Sequence, residues 1–523
     1  MPDNRAGLAA RTDRRPRADP AFKDAAGCAE WLEQLQLTNL QQAHSLLLTQ
    51  LARLNRYPMR SLERLHTLEQ LRETIHHVQH GYAQKLIAKP LPLNQNELLV
   101  FVAAVSLWQA TMLGYQHCLQ AYIHGDGRLA RHGALLCQRC LLYGGQAIFE
   151  HLRTGYEFDA GLWQQLHAIY AFAEKAKLQL ETIPDALNSA AVRSNPPRSS
   201  CHATYIKILL ACYARPAELS RSRLNRLDNW LEQWSGTVSL DHSYTTSEGD
   251  ARPLALDRGS THGLRPVKTV AHSESMRYLA MMPLSKLLRV KTILLQQGKT
   301  PQQLELGKYD RDDCIDFLIF LHQCWCENRN TRAEARNPAS DLARLYFNPE
   351  NIHAQLSGRR SANERQAMEL PAGTWGVENE SILGAQLICA DKPGGRISHK
   401  QLVAFRFDDA ANLMLGTIAW AKVMLTGQLR IGVRYLPGTP RAVDLRGGDA
   451  DQHVPGNSAQ ALLLQGVPSL DIPPSLVIRR GWFNPDREVN ILHQTGEKQT
   501  ARLGFSVERG SDYERVSFTL RTL

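Results

Sequence analysis

Six residues between positions 359 and 384 carry side chains suited to holding an anion and the edge of a base. Arg359, Arg360 and Arg365 bring three guanidinium groups into the stretch Gly358-Arg359-Arg360-Ser361-Ala362-Asn363-Glu364-Arg365. A planar guanidinium offers a two-donor fork to a phosphate or to the acceptor edge of a guanine, and it stacks on a purine better than an ammonium does. Farther on, Asn379-Glu380-Ser381-Ile382-Leu383-Gly384 forms an Asn-x-Ser-x-x-Gly pattern just ahead of the apolar run Ala385 to Ile388. Asn379 and Ser381 are two apart, so on an extended strand their amide and hydroxyl face one surface, where they can bond a base edge or a phosphate oxygen. Gly384 permits close backbone approach and a positive φ where a side chain would collide. None of these groups activates water. The set reads as recognition, with no catalytic residue and no metal ligand.

The other chemically suggestive groups are weaker. Cys137-Gln138-Arg139-Cys140 has redox or half-zinc spacing but lies in a helical run without a second such pair, and Cys324-Trp325-Cys326 is too tight to complete a tetrahedral site. Both read as structural cysteines. His76, His77 and His80 combine three- and four-residue spacing, which puts two imidazoles on one helix face. Without a His-Glu-x-x-His pattern they read as a wet helix surface. The chain has no phosphate loop ending in Lys-Ser/Thr, no dinucleotide fingerprint and no Gly-x-Ser-x-Gly turn, so an enzyme is not expected. Trp420 and Tyr435 read as barrel core or rim. A nucleic-acid platform needs aromatics interleaved with a strong basic face, and no direct nucleic-acid contact is expected.

Four features in order, the Arg segment, Asn-x-Ser-x-x-Gly, Leu415-Gly416-Thr417-Ile418-Ala419-Trp420 and Leu429-Arg430-Ile431-Gly432-Val433, resemble the PilZ domain family, bacterial receptors of cyclic di-GMP. The resemblance covers Gly358 to Leu436, under a fifth of the chain. It implies a non-catalytic antiparallel β-barrel with cyclic di-GMP as regulatory ligand and no other cofactor. By the family's Arg-x-x-x-Arg motif, Arg360 and Arg365 would contact the ligand, with Arg359 as an additional phosphate or guanine contact. Asn379, Ser381 and Gly384 would contribute the family's Asp/Asn-x-Ser-x-x-Gly element. Here Arg360 and Arg365 stand five apart instead of four. An extra residue reverses one side chain in an ordered strand but is absorbed by a bulge in a loop. The resemblance also implies a protein partner in a type IV pilus, motility or exopolysaccharide system. The alternative is a ligand-independent scaffold or adaptor with a degenerate PilZ domain.

These residues need elements to position them. The period is helical from 21 to 242, with Leu62, Leu65, Leu68 and Leu71 three apart and an apolar stretch from Leu98 to Tyr122 that suits a helix packed between others. This suggests a helical-hairpin array of the tetratricopeptide sort, although no clean repeat of about 34 residues fits. Residues 1–20 read as a flexible tail, 243–269 as a linker or irregular insertion, and 270–347 as a second helical block with a helix from Ser275 to Leu295 broken or kinked at Pro283. The period then becomes strand-like. A PilZ-like barrel is expected over 348–446 and a small β-rich domain over 458–523. In the second late strand Leu429, Ile431, Val433 and Tyr435 share one face, and Arg430, Gly432 and Arg434 the other.

Composition fits this multidomain reading. The 523 residues are 43% hydrophobic and 21% charged, with a mean hydropathy of -0.34 and a net charge of +10. That describes an ordinary folded chain with a weak leaning to anionic partners. No apolar stretch reads as a membrane span, and a secretory signal is not expected from the Arg- and Asp-containing first twenty residues. Ten cysteines without a short repeating framework fit a reducing compartment. A cytoplasmic protein is expected, recruited to the inner-membrane face or cell pole by partners.

Overall fold

The structure is a computed structural model that describes residues 18–521 except 88, 186, 188–197, 245–252, 268, 272, 328–336, 339–341, 359–374, 390–394, 409–411 and 448–456. The chain forms two units. The first takes the described residues of Met1–Ile87, Asn94–Thr154 and Phe158–Ala333, and the second those of Ala88–Leu93, Gly155–Glu157 and Glu334–Leu523.

The first unit is helical: α1 (Ala25–Glu33), α2 (Leu40–Arg56), α3 (Ser61–Gln84), α4 (Gln95–Ile123), α5 (Gly133–Thr154), α6 (Ala160–Lys175), α7 (Cys201–Tyr213), α8 (Arg221–Trp234), α9 (Met282–Gln296) and α10 (Arg311–Trp325). Local chemistry sets several starts. Asp24, Asn39, Asp159, Ser200, Ser220 and Asp310 each accept an N–H of the following turn, and Asn94 with Glu97 forms a reciprocal capping box. One apolar core runs from Phe22 to Trp325. Helix α4 packs against α2, α3 and α5. By length and composition it could cross a membrane, and half of its most apolar window is buried inside the protein. Helix lengths range from 9 to 29 residues, so the pairs do not make a uniform repeat.

Two expectations in this unit are corrected. The stretch read as a linker, 243–269, contributes two strands, Leu254–Asp257 (β4) and Arg265–Pro266 (β5), which join Ser239–Asp241 (β3) and Met276–Ala280 (β6) from the two stretches read as helical in a sheet of order β3-β6-β4-β5; within the first of those stretches Ile183–Pro184 (β1) also pairs with Arg198–Ser199 (β2). Leu254, Leu256, Leu264 and Leu279 join the helical core, and Glu174 of α6 ion-pairs with Arg258 and Arg277. The helix expected from Ser275 starts at Met282, because Pro283 occupies its first turn, where the missing N–H costs nothing. It begins the helix and does not kink it.

The second unit holds two barrels. After Asn337–Pro338 (β7) come Leu342–Phe347 (β8), α11 (Pro349–Ser357), Trp375–Ser381 (β9), Gly384–Cys389 (β10), Leu402–Phe407 (β11), Met414–Val423 (β12) and Leu429–Tyr435 (β13). Antiparallel pairing runs β9-β10-β13-β12-β11-β8 and closes through β8 on β9. Trp375, Val377, Leu387, Phe405, Ile418, Ile431 and Val433 fill the interior. The second barrel is Pro440–Gly447 (β14), Ser458–Leu464 (β15), Ser475–Arg479 (β16), Glu488–His493 (β17), Lys498–Arg509 (β18) and Tyr513–Leu520 (β19), closed in the order β14-β15-β16-β19-β18-β17.

The boundaries differ from the sequence reading at both ends of the first barrel. Its strand β8 lies in what read as the second helical block, and β14 pairs with β15 and β17 of the second barrel. Alternation shows that a segment is a strand but does not say which sheet will take it. The barrels share an apolar seam that includes Leu402, Leu415, Leu462 and Val477.

Candidate functional site

The outer surface of β9, β10, β13 and β12 is built by two register shifts. On β9, Trp375 and Val377 point into the barrel, and strict alternation would send Asn379 inward with them. A bulge at Glu378 intervenes: Val377 pairs with Leu387, and Asn379 pairs with Gln386. Asn379 and Ser381 are thereby turned to the outer face, alongside Gln386 and Gly384. On β12, a shift between Ile418 and Trp420 does the same for Trp420, which pairs with Gly432 of β13. Two rows result across the outer face, Asn379-Gln386-Gly432-Trp420 and Ser381-Gly384-Arg434-Thr417. Trp420 is therefore half-buried on the outside, a correction to the core or rim position that unbroken alternation implied. Its indole covers Gly432, where any Cβ would collide with the ring.

The polar groups of this face are linked. Asn379 Nδ2 donates to Gln386 Oε1 at 3.3 Å, and Gln386 Nε2 donates to Glu378 Oε2 at 2.5 Å. Arg430 donates to Glu378 Oε1 at 2.7 Å, and Arg434 donates to Glu508 Oε1 of β18 at 2.5 Å. The Ser381 hydroxyl donates to the Gly384 carbonyl at 3.2 Å. Tyr435, unlike Trp420, points inward, stacked on Phe405 at 5.0 Å with its hydroxyl donating to Glu380 at 2.7 Å.

Gly384 is required for a reason other than the expected one. Its φ is not positive, and a Cβ there would strike the Val433 carbonyl of β13. The close approach is to the neighbouring strand. Arg359, Arg360 and Arg365 lie outside the described residues, in the stretch that leads from α11 to β9. The structure thus brings Asn379, Ser381 and Gly384 together, and adds Gln386, Trp420, Arg430 and Arg434 beside them. The shared face of Arg430 and Arg434 was visible in the sequence. Its adjacency to Asn379 was not, because strand order and bulges set it.

Of the remaining groups, Cys137 and Cys140 are fully buried, and burial raises the Cys140 thiol well above its ordinary range. Cys324 is buried beside Arg215, and Cys326 is partly covered. Among the described residues no group of three His, Cys, Asp or Glu is placed to hold a metal ion. His77 and His80 are exposed on α3, as the wet-surface reading had it, whereas His76 is half-buried and lines a polar cavity of about 130 Å³ with Arg72, Asp185, Lys207, Asp228 and Glu232. Its ring packs on Trp108 and Tyr143, and burial lowers its pKa to about 4.

Two family comparisons complete the description. Residues 25–245 match the description "Cyclic-di-GMP receptor FimW, N-terminal domain", and residues 450–521 match the "FimW C-terminal beta-barrel domain". The first barrel lies between the two matched stretches. No curated protein and no solved structure matches significantly. With both terminal domains matched in order over more than half of its length, the chain belongs to the FimW family of cyclic-di-GMP receptors.

Proposed function

We propose that this chain is a cyclic-di-GMP-binding signalling effector whose PilZ-like first barrel holds the nucleotide on its outer face and which acts through protein contacts without catalysis. The observation that carries the reading is the paired register shifts. They set Asn379, Ser381 and Trp420 on one surface with Arg430 and Arg434, in a chain of a cyclic-di-GMP receptor family. The ligand has two anionic phosphates and two guanines. Guanidinium forks suit the phosphates and the N7/O6 edges, and the Trp420 indole suits a guanine face. The Asn379 amide and Ser381 hydroxyl suit the remaining edges. Arg359, Arg360 and Arg365 precede β9 in the chain, and the PilZ family's Arg motif would make them ligand contacts as well.

In this reading the helical unit supplies the surface for a protein partner. The output is bacterial surface behaviour, through type IV pili, motility or exopolysaccharide production. The protein would work in the cytoplasm, drawn to the inner-membrane face or cell pole by that partner. Calorimetric titration of the full chain with cyclic di-GMP tests the first step, and saturation in the low-micromolar range or tighter is expected. Arg360→Ala and Arg365→Ala should each weaken binding by about 1.5–3 kcal/mol, the range for charged hydrogen bonds. A flat titration would favour the ligand-independent scaffold. That reading draws support from Arg430 and Arg434 already being neutralised by Glu378 and Glu508.

A further inference from the structure

The two guanidinium groups of β13 are neutralised from different places. Arg430 is paired within its own barrel, with Glu378. Arg434 is paired with Glu508, which belongs to the second barrel. The two partners are also unequal, since the Arg434 side chain is 58% exposed and that of Glu508 only 19%. The arginine is the movable member and the carboxylate the anchored one. Behind Glu508 stand the buried Tyr513 and Arg515 of β19, both close enough to feel its charge. Arg515 has a partner of its own in the Ser475 hydroxyl, at 2.8 Å.

Strand β18 is irregular where it carries this acid. Its pairing with β19 shifts between Leu503 and Ser506 and again between Ser506 and Glu508, and Phe505 and Val507 stand exposed on it. A stretch with two interruptions in its ladder opens at lower cost than a continuous one.

We propose that Glu508 is an internal counter-anion that competes with a ligand phosphate for Arg434, so that a nucleotide on the first barrel frees Glu508 and loosens Ser506–Arg509 of the second. The proposal rests on the reading that cyclic di-GMP occupies the outer face of the first barrel. A carboxylate and a phosphodiester present the same kind of oxygen pair to a guanidinium fork, and one fork serves one of them at a time. An ion pair with a half-exposed member is weak, so the nucleotide can displace it, and the competition should cost only a small factor in affinity.

The test is titration of the full chain and of its Glu508→Gln variant with cyclic di-GMP, together with amide hydrogen exchange of the unsubstituted protein with and without saturating nucleotide. Glu508→Gln should bind about two- to fivefold more tightly, the reach of a weak exposed pair. A double variant that also carries Arg434→Gln should lose that gain. Exchange at Ser506–Arg509 should quicken when nucleotide is added, a readout that needs no variant to fold. Saturable binding by Glu508→Gln where the unsubstituted chain binds too weakly to detect would also support the competition. Binding by the unsubstituted chain with equal or weaker affinity in Glu508→Gln, or with unchanged exchange at Ser506–Arg509, would overturn it and leave the binding reading in place. Flat titrations of both proteins would overturn both.

Discussion

Gly384 shows how one residue type serves fold and site together. The motif that drew attention to it suggested room for a ligand, yet the Val433 carbonyl fills the space a Cβ would need. Gly384→Ala should therefore lower the stability of the unit by about 2 kcal/mol or more, since the obstacle is backbone and cannot rotate away. A denaturant titration without ligand checks this, and loss of binding in that variant would say nothing about a direct contact. Trp420 is the contrasting case. Trp420→Ala should cost about 1–3 kcal/mol of nucleotide affinity, the range for a stacked base, while Trp420→Phe keeps most of it. Calorimetry on both variants separates stacking from bulk. Asn379 and Ser381 were legible as a pair because strands have a period of two. Their side of the sheet was not legible, since Trp375 and Val377 point the same alternation inward.

Elements whose type rests on long, regular apolar patterns were readable. The helices around Leu62–Leu71 and Leu98–Tyr122 are α3 and α4, and β15 to β19 fall within the stretch 458–523 that read as β-rich. Elements that depend on distant partners were not. Strands β3 to β6 are two to five residues long and gain meaning only from their pairing and from the leucines they bury against the helices. His167 of α6 illustrates what such a packed element costs at low pH. It is fully buried, with one ring nitrogen 2.6 Å from the Tyr205 hydroxyl and the other 2.9 Å from the His262 carbonyl, which a neutral imidazole satisfies. Burial lowers its pKa from 6.5 to about 4. The unfolded chain then binds more protons than the folded one between those values, so stability falls as pH drops from about 6.5 towards 4. This one group should remove about 2 kcal/mol between pH 7 and pH 5. His44 and His117, lowered to about 4 by burial as well, add to it. Denaturation of the helical unit at the two pH values checks the sign. A His167→Gln variant should show a shallower pH dependence whatever its stability at pH 7.

At the scale of the molecule, the second unit is two closed barrels joined by a seam of side chains. Ala461, Leu476 and Ile478 fill the second barrel, while their neighbours Leu462, Leu464 and Val477 point out of it. Those outward residues, with Tyr513, meet Leu402, Ala404, Leu415 and Leu436 of the first barrel and Ile352 of α11. This accounts for the uninterrupted run Ala461-Leu462-Leu463-Leu464, which alternation could not explain: a strand covered on both faces has no polar side to show. Polar contacts reinforce the seam, with the Leu402 N–H donating to Asp512 at 2.9 Å and the Ser511 N–H to the Lys400 carbonyl at 2.9 Å. The physical consequence is that neither barrel has a finished surface of its own. Leu462→Ala, a cavity in the seam, should cost about 2–5 kcal/mol and lower the protection of β11 and β15 together. Hydrogen exchange resolved by segment measures both strands in one experiment. Loss of protection in β15 with β11 unaffected would mean that the barrels are stable separately, and that the seam is contact without cooperation.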